Sequence, residues 1–182
     1  EEWGTLMFFA DFRGRSRGQE GDTEKLAIFG PRRGRRGAQL KCMAAVETKV
    51  PGYFTNPNAM GRHCNPDDNS EEWGTHTLVL APNELSYALG KKGMTRKKLA
   101  RSSGCIVEYV GFTVFMSGTG KERRRAQDYL GWLFEQLKGP VFVEGWEDRD
   151  DCTAIDVPRD CVGYVTGARR ATLGKIEEEW GT

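Results

Sequence analysis

The chain holds 182 residues, 38% of them apolar and 29% charged, with a formal net charge of +1. That is the composition of a soluble globular protein, long enough for one ordinary domain or two small ones. No apolar run approaches the roughly 18 residues of a membrane span, and no signal-peptide pattern opens the chain. A first residue other than Met is expected of an excised, processed or engineered piece. Five cysteines (Cys42, Cys64, Cys105, Cys152 and Cys161) form no CxxC pair, which fits a reducing compartment, nuclear or cytoplasmic, better than a disulfide framework. His63, Cys64 and His76 match no zinc spacing, so no metal or other cofactor is expected. No enzyme is expected either, because there is no P-loop, no His-based nucleophile pair and no carboxylate pair inside a predicted apolar pocket.

In chain order, the β-rich runs 6–9 and 26–29 predict a hairpin. Between them lies a basic, Gly-rich loop with Arg13, Arg15 and Arg17. Residues 35–50 predict a helix. Residues 51–70, with three Pro, two Gly and four Asn, read as a linker. A short strand at 77–80 then leads to a helix at 84–89, for which Asn83 is the expected N-cap. The turn Gly90-Lys91-Lys92-Gly93 follows, and then a helix at 94–102 closed by Gly104. Runs 105–110 and 112–117 predict a second hairpin. Residues 121–137 carry Ala126, Tyr129, Leu130, Leu133, Phe134 and Leu137 at the spacing of an amphipathic helix. After an acidic connector at 144–151 come a strand at 154–157 and helices at 161–166 and 171–179.

This order is one unit given twice, the second time with its halves transposed. Shifted by 77 positions, Leu78, Leu85, Tyr87, Gly90, Thr95, Leu99 and Gly104 fall on Ile155, Val162, Tyr164, Gly167, Thr172, Ile176 and Gly181. Shifted by 88 the other way, Gly118, Arg123, Arg124, Ala126 and Gln127 fall on Gly30, Arg35, Arg36, Ala38 and Gln39. One unit therefore occupies 76–139, and the other joins 152–182 to 1–54, with linkers at 55–75 and 140–151. Glu1 to Thr5 and Glu178 to Thr182 share the letters EEWGT, as if one segment had been opened there. Neither half of the split unit can bury its apolar face alone. The halves are expected to meet, either within one chain, the favoured arrangement, or between chains as a swapped dimer.

Charge is divided unevenly along the chain. Residues 76–139 carry 11 Lys/Arg against 5 Asp/Glu, and 1–54 carry 10 against 7, while 55–75 have 1 against 4 and 140–182 have 5 against 10. A helix, a Gly-x-x-Gly turn and a second helix suit a phosphate backbone. The glycines let the backbone approach, the helix N-terminus offers N–H groups, and lysines add ionic contacts.

The segment LSYALGKKGMTRKKL (85–99), with Gly104 and then Ser117-Gly118-Thr119, resembles a type I KH domain. VGYVTGARRATLGKIEEEWG (162–181) resembles a second. The likeness covers about 120 of the 182 residues. It implies an α+β fold of two β-α-α-β-β-α units, each a three-stranded antiparallel sheet packed on three helices. It also implies binding of about four nucleotides of single-stranded RNA, or DNA, without catalysis.

By the resemblance, Gly90, Lys91, Lys92, Gly93, Arg96, Lys97, Lys98, Arg101 and Ile106 form the main site. Gly167, Ala168, Arg169 and Arg170 form the corresponding turn of the second unit, with Arg13, Arg15 and Arg17 flanking its groove. Arg170 replaces the second glycine of that turn, and Arg96 stands where the family usually has an apolar groove residue. A KH-based protein-interaction or assembly scaffold with at most one working RNA site is the alternative. No membrane partner is expected. Phe8, Phe9, Phe12 and Phe115 are expected in strand cores. The arginine runs 32–36 and 123–125 are expected to face nucleic acid or the neighbouring unit, with a solvated surface as the alternative.

Overall fold

Ile106–Val110 (IVEYV) and Thr113–Gly118 (TVFMSG) are apolar on both pleat faces, which requires cover on both sides of a sheet. The computed structural model, which describes residues 4–10, 24–56, 58 and 70–181, supplies that cover. Phe12, Arg13, Arg15, Arg17, His63 and Cys64 lie outside the described residues.

The protein is α+β with two small antiparallel sheets. β1 (Leu6–Phe9) and β2 (Leu26–Phe29) form the first, and α1 (Arg32–Lys49) follows. The second sheet contains β3 (Gly74–Val79), β4 (Ile106–Val110) and β5 (Thr113–Gly118) in the order β3-β5-β4. Between β3 and β4 run α2 (Pro82–Leu89) and α3 (Met94–Ser103), and after β5 comes α4 (Gly120–Glu135). The chain ends with α5 (Val162–Thr166) and α6 (Ala171–Trp180).

Residues 74–135 thus have the β-α-α-β-β-α order expected from the sequence. One face of their sheet presents Val107, Tyr109, Val114 and Met116, which pack with Ala88, Leu99, Ala126 and Leu130 from the helices and with Leu80 just past β3. α4 starts where Thr119 accepts a hydrogen bond from the Glu122 N–H at 3.3 Å, while the Glu122 carboxylate accepts one from the Thr119 N–H at 2.8 Å. This reciprocal cap satisfies two orphan donors. α2 begins two residues earlier than expected. Ala81, not Asn83, is its N-cap, Pro82 opens it, and the Ala81 N–H donates to Glu84 at 2.9 Å. Pro suits the first helical position because its missing N–H would have had no partner there.

The opposite face carries Ile106, Val110 and Phe115, covered by Leu40 and Met43 of α1 together with Trp73. α1 therefore packs on the sheet of the complete unit. Two further contacts hold it there. Arg36, buried, donates to Ser117 Oγ at 3.2 Å and Thr75 Oγ1 at 2.5 Å, and Arg33 pairs with Glu122 at 3.2 Å and donates to the Gly104 carbonyl. Of the arginine run 32–36, these two serve contact between units. The linker is shorter than expected, since Trp73 is buried and Gly74 and Thr75 already belong to β3.

The two halves of the split unit do not close on one another as expected. α5 and α6 make no extended packing with β1, β2 or α1 among the described residues. Residues 152–158 form no strand, and Ile155 is 78% exposed. Phe8 stacks on Phe29 with centroids 5.4 Å apart, yet Phe8 and Phe9 stay 48% and 68% exposed rather than in a core.

The halves nevertheless repeat two local features of the complete unit, a hairpin register and the entry into its last helix. β1 and β2 pair Leu6↔Phe29, Met7↔Ile28, Phe8↔Ala27 and Phe9↔Leu26. When the repeat is continued through the shared EEWGT, so that Gly4 follows Gly181 onto Gly104, β1 falls on β4, and the shift of 88 places β2 on β5. The pairs then become Ile106↔Ser117, Val107↔Met116, Glu108↔Phe115 and Tyr109↔Val114, the register of β4 and β5. Gly30-Pro31 leads into α1 as Gly118-Thr119 leads into α4.

The letters EEWGT occur a third time, at 71–75. There Gly74 and Thr75 open a strand, whereas at 178–181 the same letters end α6, with Gly181 in the left-handed region at φ +73°. Gly4 (φ +57°) agrees with Gly181 and with Gly104 (φ +75°), not with Gly74.

Candidate nucleic-acid interface

The turn between α2 and α3 is set by backbone conformations that side chains resist. Gly90 stands at φ +67°, ψ 175°, and a Cβ there would lie 2.2 Å from Thr95 Oγ1. Lys92 (φ 54°, ψ 28°) and Gly93 (φ 72°, ψ 20°) are both left-handed. At Gly93 a Cβ would meet nothing closer than Arg96 Nε at 3.9 Å, so the backbone faces open space. α3 starts directly after it with no side chain capping its N-terminus. Its first N–H groups and positive dipole end therefore point out of the turn.

The positive charge of this unit is largely neutralised away from the turn. Lys121 and Arg125 pair with Asp150, Arg125 also pairs with Asp151, and Arg124 pairs with Glu71. Arg123 donates to the carbonyls of Gly118 at 2.7 Å and Ser70 at 3.0 Å. The acidic connectors thus cover the start of α4, and the run 123–125 is committed to its own chain. Lys91, Lys92 and Lys97 are exposed and make no ion pair among the described residues.

Other expected site residues are placed differently. Ile106 is 3% exposed beneath α1, on the sheet face away from α3. Arg96 is 9% exposed and donates to the Val107 carbonyl at 3.1 Å and to Glu108 at 3.0 Å, so its guanidinium is held flat against β4. Lys98 pairs with Glu177 of α6, and Arg101 lies against Gly181. Sequence reasoning missed the set of neutralising acids, Glu71, Asp150, Asp151 and Glu177. The signal was the acidic composition of the connectors beside a basic helix.

The second turn has the same backbone. Gly167 (φ 70°, ψ 167°), Arg169 (φ 53°, ψ 37°) and Arg170 (φ 63°, ψ 20°) match Gly90, Lys92 and Gly93. A Cβ at Gly167 would lie 2.2 Å from Thr172 Oγ1, as at Gly90. Arg170 takes the left-handed conformation with a side chain attached, at a cost of about 1–2 kcal/mol. Its guanidinium pairs with Glu177 at 3.0 Å.

No family model matches this chain, and no curated protein does. Among the described residues no helix is long and apolar enough to cross a membrane.

Proposed function

We propose that the protein binds single-stranded nucleic acid, RNA foremost, without catalysis, through units of the KH type. The turn at 90–93 is the principal contact. The observation that carries this reading is the basic turn, which makes no ion pair among the described residues, with Lys91 and Lys92 flanking an open left-handed backbone at an uncapped helix N-terminus, while the arginines at the start of α4 are neutralised. Phosphates fit the N–H groups and the lysines, and bases would then lie along α3. The second turn repeats the backbone but fills the position of close approach with Arg170, which favours a weaker site or a scaffold role there.

The test is a titration of short single-stranded RNA against the full chain. Lys91→Asp together with Lys92→Asp should lower affinity at least about tenfold. The salt slope should fall by about 0.7 for each phosphate that the variant no longer neutralises. Both side chains are exposed, so thermal unfolding should be unchanged. Unaltered affinity in the folded variant would remove this turn as the site. The corresponding change of Ala168 and Arg169 to Asp should cost less.

A further inference from the structure

The transposed halves carry matching unfilled surfaces. In the complete unit, Leu85, Ala88 and Leu99 of the helices pack against Val107 and Tyr109 of β4 and Phe134 of α4. The repeat alignment places Val162, Val165 and Ile176 on one half at the first three positions. It places Met7, Phe9 and Val46 on the other half at the last three. All six are at least 37% exposed here. A second observation is independent of side-chain burial. β5 is the central strand of its sheet, paired on both edges, whereas β2 pairs only with β1 among the described residues. Its free edge corresponds to the edge of β5 that holds β3, and residues 77–79 of β3 correspond to 154–156, which belong to no strand.

The halves are held apart within one chain. Leu40, Met43 and Arg36 keep the N-terminal half on the face of the 74–118 sheet that bears Ile106 and Val110. α6 lies beside α3, through Lys98–Glu177 and Arg101 against Gly181, and α3 covers the opposite face. The three-layered complete unit stands between them. Joining them in one chain would break one of these attachments.

We propose that residues 152–181 of one copy are completed by residues 4–50 of a second copy. The β2 edge of the second copy pairs with residues 154–157 of the first. The Met7 and Phe9 face and Val46 cover Val162, Val165 and Ile176. The contact joins unlike surfaces, so two copies can close it reciprocally or continue it head to tail. It requires no nucleic acid, and its outcome is separate from that of the RNA titration.

The test is light scattering of the full chain across dilution, without nucleic acid. The wild type should show at least twice the 20.4 kDa chain mass at high concentration and dissociate on dilution. Ile176→Asp and Met7→Asp should each be monomeric. Their equimolar mixture should recover a dimer, because the intact C-terminal half of one variant meets the intact N-terminal half of the other. A wild type that is monomeric throughout overturns the proposal. So do variants that still assemble, or a mixture that stays monomeric. Should an Asp variant fail to fold, Ile176→Ala and Met7→Ala serve the same test. Each should raise the dissociation constant about tenfold or more, and mixing should lower it again.

Discussion

A Cβ at Gly90 would stand 2.2 Å from the Thr95 hydroxyl and 3.0 Å from its backbone nitrogen, in a region of φ and ψ that side chains rarely visit. At Gly93 the space is open and only the left-handed backbone resists. The two glycines of one turn should therefore differ on replacement. Gly93→Ala should cost about 1 kcal/mol, and Gly90→Ala at least about 2 kcal/mol because strain and overlap add. Urea denaturation of both variants checks this, with equal slopes expected. Arg170, which holds the Gly93 conformation with a side chain attached, shows that the second position tolerates one.

Among the elements, α1 is the one whose place depends most on its surroundings. It is an 18-residue helix that starts at Arg32 with four arginines in its first five residues, against the helix dipole. Intrinsic propensity does not account for that start. The attachments of Arg33 to Glu122 and Gly104, and of Arg36 to Thr75 and Ser117, do. Leu40 is fully buried between α1 and the sheet. Leu40→Ala should remove about 2–5 kcal/mol by leaving a cavity. Differential scanning calorimetry should show the loss in the contact of α1 with the sheet, with the packing around Leu130 and Met116 retained. Equal stability of variant and wild type would mean that α1 contributes nothing to that face.

Across the whole molecule, the connectors act as counter-charges. Asp151 accepts both Arg149 hydrogen bonds at 2.8 Å, one from the Tyr129 hydroxyl at 2.6 Å, and an ion pair from Arg125 at 3.0 Å. The Arg149 hydrogen bonds hold its carboxyl down at about 2, and the Tyr129 bond adds to them. Arg149 also lies 4.9 Å over the Trp132 ring and pairs with Asp128, tying the connector to α4. A carboxyl with a lowered folded-state value contributes stability that is complete above its ordinary value of 3.8 and lost as pH falls through about 2. Acid unfolding should therefore steepen between about pH 4 and pH 2. In Asp151→Asn that portion of the stability curve should flatten, as followed by circular dichroism at each pH. Release of the connector would also uncover Lys121 and Arg125 at the start of α4.

Much of the complete unit was legible in the sequence, because its elements are local. The period of Ala126, Leu130 and Leu133, the apolar runs on either side of Gly111, and the glycines at 90, 93 and 104 each specify their own structure over a few residues. The second turn was legible too, and its backbone repeats the first despite Arg170. Cover for the far face of the sheet was not legible. Ile106 and Val110, on either side of Glu108, show only that this face bears apolar residues, whereas the partner helix lies more than 50 residues away. Nor was the burial of Ile106 and Arg96 legible, since each depends on an element that arrives from elsewhere.

The letters EEWGT show the division most directly. At 71–75 the free edge of β5 is within reach, so Gly74 and Thr75 pair with Gly118 and Ser117 and Trp73 is buried under α1. At 178–181 no strand edge is near, so Glu178 to Trp180 complete α6 and the same tryptophan is 75% exposed. The sequence alone determined that each segment bears an apolar residue followed by a glycine able to turn the chain. Strand or helix, buried or bare, was decided by the tertiary structure, because a β-edge must come from another segment while helical hydrogen bonds close within their own.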